Sequence, residues 1–131
     1  MNHQSRYAPV ILRLGLAGVF LWFGTTQLLD QAMWTSLIPD WLVNLTGISA
    51  ASFVVINSLF EVVFGVLLVL GVWTRVAAAL LFLHLLTIIF DVRLTAIGVR
   101  DIGLAIATLS IAIYGNDVYS WSQRKGFAAD R

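Results

Sequence analysis

Seven side chains carry most of the chemistry this sequence has to offer: Arg13, Gln27, Asn57, Glu61, His84, Arg100 and Asp101. Glu61 is the most costly to place. It is the only charge in the apolar run 52–73, with valine, phenylalanine and leucine on both sides and isoleucine before it. A carboxylate at the centre of a bilayer costs at least ~2.5–3.5 kcal/mol, so such a residue faces a bundle interior or a wet cavity and takes a partner. Asn57 and Gly65 lie one turn to either side of it, on the same stripe of a helix. His84 falls at the same depth in the next apolar run, where a neutral imidazole can share a proton with a carboxylate. The types and spacing therefore admit three roles for Glu61: proton handling, hydrogen bonding to a bound molecule, or a structural pair that fixes helix packing. His84 has two readings, a hydrogen-bonded packing residue or the partner of Glu61.

The other four residues are placed by depth, at 1.5 Å of rise per helical residue. Arg13, Ala17, Phe20, Gly24 and Gln27 share a face of the first apolar run. Gln27 is near its outer edge. Arg13 is near its inner edge, where it reads as a snorkelling interface residue, or else must extend outward along its helix to reach Glu61. His84, Thr87 and Asp91 form a stripe from the midplane outward. Arg100 and Asp101 enter the last run on adjacent faces, so each is expected to need a partner on another helix. Together these residues suggest a buried network that opens outward, with Glu61 at its base and Arg100, Asp101, Gln27 and Asp91 in the outer layer. One internal histidine and scattered acids lack metal-ligand spacing. No nucleophile–base motif, phosphate loop or nucleotide fingerprint is present, so nothing assigns a catalytic residue or makes the chain an enzyme on its own.

The elements that must hold these residues follow from composition. Of the 131 residues, 60% are hydrophobic and 11% charged, with a mean hydropathy of +0.90. Soluble domains average roughly 45–50% apolar and about 25% charged, which marks this chain as an integral membrane protein. The net charge of +1 is too small to suggest nucleic acid as a partner, and the absence of cysteine rules out disulfides and thiol chemistry within the chain. Crossing ~30 Å of hydrocarbon takes about 20 helical residues, and four runs qualify: 10–29, 52–73, 76–92 and 97–114. They lack the period-2 alternation of a barrel, so an all-α, four-transmembrane-helix bundle in a single membrane domain is expected. The first run is longer than a signal-peptide core and no small-x-small cleavage site follows it, so it reads as a retained span. Little more than Trp73, Thr74 and Arg75 joins the second and third spans, which predicts an antiparallel hairpin.

In the connection 31–49, Trp34, Leu37, Ile38, Trp41, Leu42 and Leu45 recur at three- and four-residue steps. With Pro39 at a first helical position, a short helix over 39–45 is expected. This segment reads either as a lipid-facing surface helix with interfacial tryptophans or as a lid over the outer mouth of the bundle. The tail 115–131 is polar and carries no recognisable chemistry, with Tyr119, Trp121 and Phe127 as interfacial anchors. If the N-terminus is cytoplasmic, Arg6, Arg13, Arg75, Arg124, Lys125 and Arg131 lie on or toward that side, and only Arg93 and Arg100 fall outside. That bias predicts a multi-pass protein of the cell (inner) membrane with both termini inside.

The run Arg13-Leu-Gly-Leu-Ala-Gly-Val-Phe-Leu-Trp-Phe-Gly resembles the opening signature of the DoxX-like family of small four-helix membrane proteins. The pattern Glu61-x-x-x-Gly65-x-x-Leu68-x-x-Gly71, the turn Thr74-Arg75, His84, and Arg100-Asp101 complete a resemblance that covers roughly residues 6–115. It implies a bundle with these polar positions turned inward. It also implies a link to redox assemblies, as in a subunit of archaeal thiosulfate:quinone oxidoreductase and a mycobacterial complex with superoxide dismutase and a thiosulfate sulfurtransferase. Related folds include sterol-binding and receptor-chaperone proteins. Two departures stand out: Gln27 occupies a position where many relatives carry lysine, and the chain has none of the cysteines that thiol-dependent relatives use.

Three functions follow as expectations. The first is a non-catalytic membrane subunit that anchors or organises a peripheral oxidoreductase near the quinone pool. The second is a binding or transport protein for a small lipophilic molecule in an outward-opening pocket around Glu61. The third is an enzyme using Glu61 and His84 as an acid/base pair. The resemblance leaves room for a quinone or lipid as bound group and for a homo-oligomer. A pocket of ~300 Å³ or more reaching Glu61 favours binding, and a tightly packed, fully paired network favours the anchor.

Overall fold

The structure, a computed structural model, describes residues 3–123. After a single 3-10 turn at His3–Arg6, the chain forms α1 (Ala8–Leu29), two short helices α2 (Gln31–Thr35) and α3 (Asp40–Thr46), then α4 (Ala50–Leu70), α5 (Thr74–Val92) and α6 (Ala96–Tyr114). Four of these, α1, α4, α5 and α6, are long and apolar enough to cross a membrane. The fold is an all-α membrane bundle, and the described residues contain no strand. Arg124, Lys125, Phe127 and Arg131, invoked above for orientation and anchoring, lie outside the described residues.

The distribution of polarity is inverted relative to a soluble domain. Large apolar side chains such as Ile11, Trp22, Ile56, Phe90, Ile106 and Ile113 are more than half exposed, while Arg13, Gln27, Ser58, Glu61, Asp101 and Thr108 are buried. That is the arrangement in which lipid is the solvent and ionisable groups turn inward. The helices pack most closely as two pairs, α1 with α4 and α5 with α6, and the pairs meet more loosely. Gly24 makes the first pair possible. A Cβ there would lie 2.8 Å from Val62 Cγ2 and 2.9 Å from the Ser58 carbonyl oxygen, so only glycine allows this approach between the helices. A cluster of Leu16, Ala17, Phe20, Leu68, Leu81 and Leu85 with Ala77, Ala78, Ala105 and Ile111 fills the centre between the pairs.

The ends of the elements differ from expectation by a few residues, each for a local reason. The helix α4 stops at Leu70, three residues before the apolar run ends. Gly71 takes a left-handed φ of +66°, its N–H bonds back to the Leu68 carbonyl, and the Val72 N–H bonds to that of Leu67. Thr74 and Arg75 therefore belong to the first turn of α5 rather than to the connection. The Ser49 hydroxyl accepts from the Ser52 N–H and caps α4, and Thr95 caps α6 in the same way through Gly98. Pro39 stands just before α3, in extended backbone, instead of inside its first turn.

Chain direction defines two ends of the bundle. The proximal end carries the α4–α5 turn and the segment after α6; the distal end carries α2 and α3.

Candidate functional site

The buried stripe of α1 is the face read from the sequence: Arg13, Ala17, Phe20, Gly24 and Gln27 all point inward. Two separate polar centres form along it, one at each end.

At the distal end, Gln27 links two helices. Its Nε2 donates to Glu61 Oε2 at 3.0 Å, and its Oε1 accepts from Asn57 Nδ2 at 2.7 Å. The other carboxylate oxygen, Glu61 Oε1, lies 3.5 Å from His84 Nε2. Four of the seven residues thus form one relay, Asn57–Gln27–Glu61–His84, across α4, α1 and α5. The imidazole packs against the Phe60 ring, with centroids 4.8 Å apart, and Nε2 makes no hydrogen bond of good geometry. The stripe expected on α5 is shifted. Ala77, Ala78, Leu81 and Leu85 hold the core, while His84 sits half-buried at its edge and Thr87 and Asp91 are exposed.

Arg100 does not join this relay. Its Nε donates to Asp101 Oδ1 at 2.8 Å, and Nη2 lies 2.8 Å from the same oxygen as an ion pair. The expectation that adjacent residues point apart fails because the long arginine side chain folds back over its neighbour. Its guanidinium also lies over the Phe23 ring, 4.7 Å from the centroid, and Phe23 in turn meets Trp34 edge to face. Asp101 is buried and Arg100 is about half exposed.

Above the relay is a cavity of about 1050 Å³. Glu61, Asn57, Gln27, His84, Arg100 and Asp101 contribute to its lining, and Phe53, Phe60, Leu86 and Phe90 supply apolar walls from α4 and α5. Trp34, Leu37, Ile38, Trp41 and Leu42 line it as well. The connection 31–49 therefore contributes directly to the cavity wall. Trp34 Nε1 is buried there without a hydrogen-bond partner.

At the proximal end, Arg13 neither snorkels nor reaches toward Glu61. It is 1% exposed. Its Nε donates to Asp117 Oδ2 at 2.6 Å and Nη2 to Oδ1 at 3.3 Å, while Nη1 donates to the carbonyls of Leu68 and Val69, the latter at 2.9 Å. A cation thereby satisfies the free carbonyls at the C-terminus of α4, where the helix dipole favours it. Asp117 also accepts from the Tyr119 N–H and the Ser120 hydroxyl. Burial alone pushes its carboxyl up, but these hydrogen bonds and the guanidinium charge outweigh burial and hold it below its ordinary value. Ser120 lies tight against the α4–α5 turn, where a Cβ on Gly71 would be 2.8 Å from Ser120 Cβ.

Sequence reasoning missed Asp117 and Ser120 because it treated the polar tail as inert. The signal was there in outline. A buried Arg13 needs an acid at its own end of the bundle, and the turn-forming stretch Gly115-Asn116-Asp117 supplies one.

The family model for DoxX matches residues 8–94, about two thirds of the chain. The chain belongs to the DoxX family. No curated protein and no solved structure matches it. In this DoxX protein the matched segment holds the whole relay and Arg13, whereas Arg100, Asp101 and Asp117 lie beyond it. Among the described residues no group of three His, Asp or Glu is placed to hold a metal ion. Chemically, the relay can hydrogen-bond a polar group at the cavity floor.

Proposed function

We propose that this DoxX protein binds a small amphipathic molecule in the distal cavity, its polar end against the Glu61 relay and its apolar body between α4 and α5. The cavity carries this reading. Its volume of about 1050 Å³ is at the upper end of the ~300–1,000 Å³ typical of ligand sites, and it combines apolar walls with a few convergent polar groups. A subunit serving only as an anchor has no use for such a space, because protein interiors otherwise pack with few voids larger than a water molecule.

A second reading places the same cavity in a redox-associated complex, with a quinone or lipid as occupant and a peripheral oxidoreductase as partner. It is favoured by Trp34 Nε1 and His84 Nε2, two nitrogens without a good hydrogen bond that suit the carbonyl oxygens of a quinone ring. We place the protein in the cell membrane with the proximal end cytoplasmic, on the arginine and lysine bias of the sequence.

Native mass spectrometry from lipid nanodiscs tests the binding reading. The wild type is expected to retain a small lipophile, and Leu86→Trp, which adds bulk at a partly exposed cavity wall, is expected to lose it. Absence of any retained molecule, with the Leu86→Trp variant indistinguishable from wild type, overturns the reading; co-eluting oxidoreductase subunits support the redox form of it.

A further inference from the structure

Charge in the cavity wall is unbalanced. Among the described residues, the titratable and charged groups that face it are Glu61 on α4, His84 and Asp91 on α5, and Arg100 and Asp101 on α6; α1, α2 and α3 contribute none. Three carboxylates therefore stand against one guanidinium and, at most, one imidazolium, so the lining is negative whichever way His84 is protonated. Arg100 is already committed to Asp101 through two of its nitrogens. Arg13, on the face of α1 that also carries Gln27, is committed to Asp117 at the other end of the bundle. Glu61 is 4% exposed. One of its oxygens has an amide donor and the other has His84 at 3.5 Å.

The second observation is aromatic. Phe53, Phe60 and Phe90 line the cavity from α4 and α5, and Trp34 and Trp41 from the connection. A cation over an aromatic face is attracted by the ring quadrupole, more strongly when both are desolvated. The wall already uses this packing, since Arg100 lies on Phe23.

We infer that the occupant of the cavity is an organic cation with an apolar body, held by Glu61 and the surrounding aromatic rings. The inference rests on the binding reading above and names its ligand class. The cation supplies the charge partner that no arginine or lysine among the described residues gives Glu61, and its hydrocarbon body fills the apolar walls.

The test is saturable binding to the purified protein in phosphatidylcholine nanodiscs of three probes of related size: tetraphenylphosphonium, the neutral triphenylphosphine oxide and a short-chain quinone. Tetraphenylphosphonium is expected to bind most tightly. Glu61→Gln is expected to weaken it by about tenfold or more, with Glu61→Asp recovering part of the loss. The fold of each variant is checked by circular dichroism. If the neutral oxide or the quinone binds as well as the cation, with no sensitivity to Glu61→Gln, the inference is overturned while the binding reading stands. If no probe saturates and native mass spectrometry finds no retained molecule, both fall.

Discussion

Replacing Asp117 with alanine should unlatch the proximal end of the bundle. Arg13 is nearly inaccessible, and its counter-charge comes from a residue 104 positions away, in a turn beyond the last span. Removing one partner of a buried ion pair strands the other charge and costs ~3–5 kcal/mol. At about 1.4 kcal/mol per decade, that lowers the folding constant by roughly two to four orders of magnitude. Asp117→Asn should cost less, because an amide oxygen can still accept from the Tyr119 N–H and the Ser120 hydroxyl. The double variant Arg13→Met/Asp117→Leu should recover much of the loss, since neither charge is then left alone. Equilibrium unfolding in mixed micelles, followed by circular dichroism, reads all four proteins. The carboxyl also gives a pH signature. Asp117 titrates below its ordinary 3.8 in the folded protein, so its contribution is complete above that value and is lost as pH falls through the lower, folded one. Wild type should therefore lose stability below about pH 4 in a step that Asp117→Asn lacks. A loss for Asp117→Ala under about 1 kcal/mol, the scale of an exposed pair, refutes the reasoning.

Three further outcomes follow from other parts of the bundle. Gly24→Ala brings a methyl group against Val62 and the Ser58 carbonyl and should destabilise by about 1–3 kcal/mol as α1 and α4 are pushed apart; unchanged stability in the same unfolding assay would show that the helices are not in close contact there. Gln27→Leu leaves both Asn57 and Glu61 without their shared partner and should cost about 1–3 kcal/mol, whereas Gln27→Glu restores only an acceptor and should not rescue it. Because the chain has no cysteine, single Ser36→Cys and Gln123→Cys variants report topology directly. With the proximal end cytoplasmic, a membrane-impermeant maleimide labels the Ser36→Cys variant in intact cells and the Gln123→Cys variant only after permeabilisation; the reverse pattern would invert the orientation.

The four spans are legible in the sequence because lipid leaves the backbone no other option, and the inward face of α1 because 3.6-residue periodicity puts Arg13, Ala17, Phe20, Gly24 and Gln27 in register. Equal depth also brings Glu61 and His84 together correctly. Helix ends are less legible, since a hydropathy run does not register that Gly71 turns the chain three residues before apolar residues run out. The arginines are misread for a different reason. Periodicity states which way a Cα–Cβ bond points, but a side chain as long as arginine can fold onto its sequence neighbour, as Arg100 does. It can also be met by a residue from a segment with no periodicity at all, as Arg13 is by Asp117.

Those two arginines bear on the distal cavity. From the sequence alone Arg13 and Arg100 are available as counter-charges for Glu61, which makes a closed structural ion pair a sufficient account of the acid. With Arg13 bound to Asp117 and Arg100 to Asp101, no arginine or lysine among the described residues pairs with Glu61. His84 alone remains within ion-pair distance, without a hydrogen bond of good geometry. A carboxylate near the middle of a spanning helix is too costly to keep half-partnered without compensation. The compensation is either a proton, shared with His84, or a cation in the space beside it. Only the second makes the occupancy of the cavity depend on the ligand's charge. The comparison of charged and neutral probes is therefore the measurement that separates a proton-carrying acid from a cation-binding one.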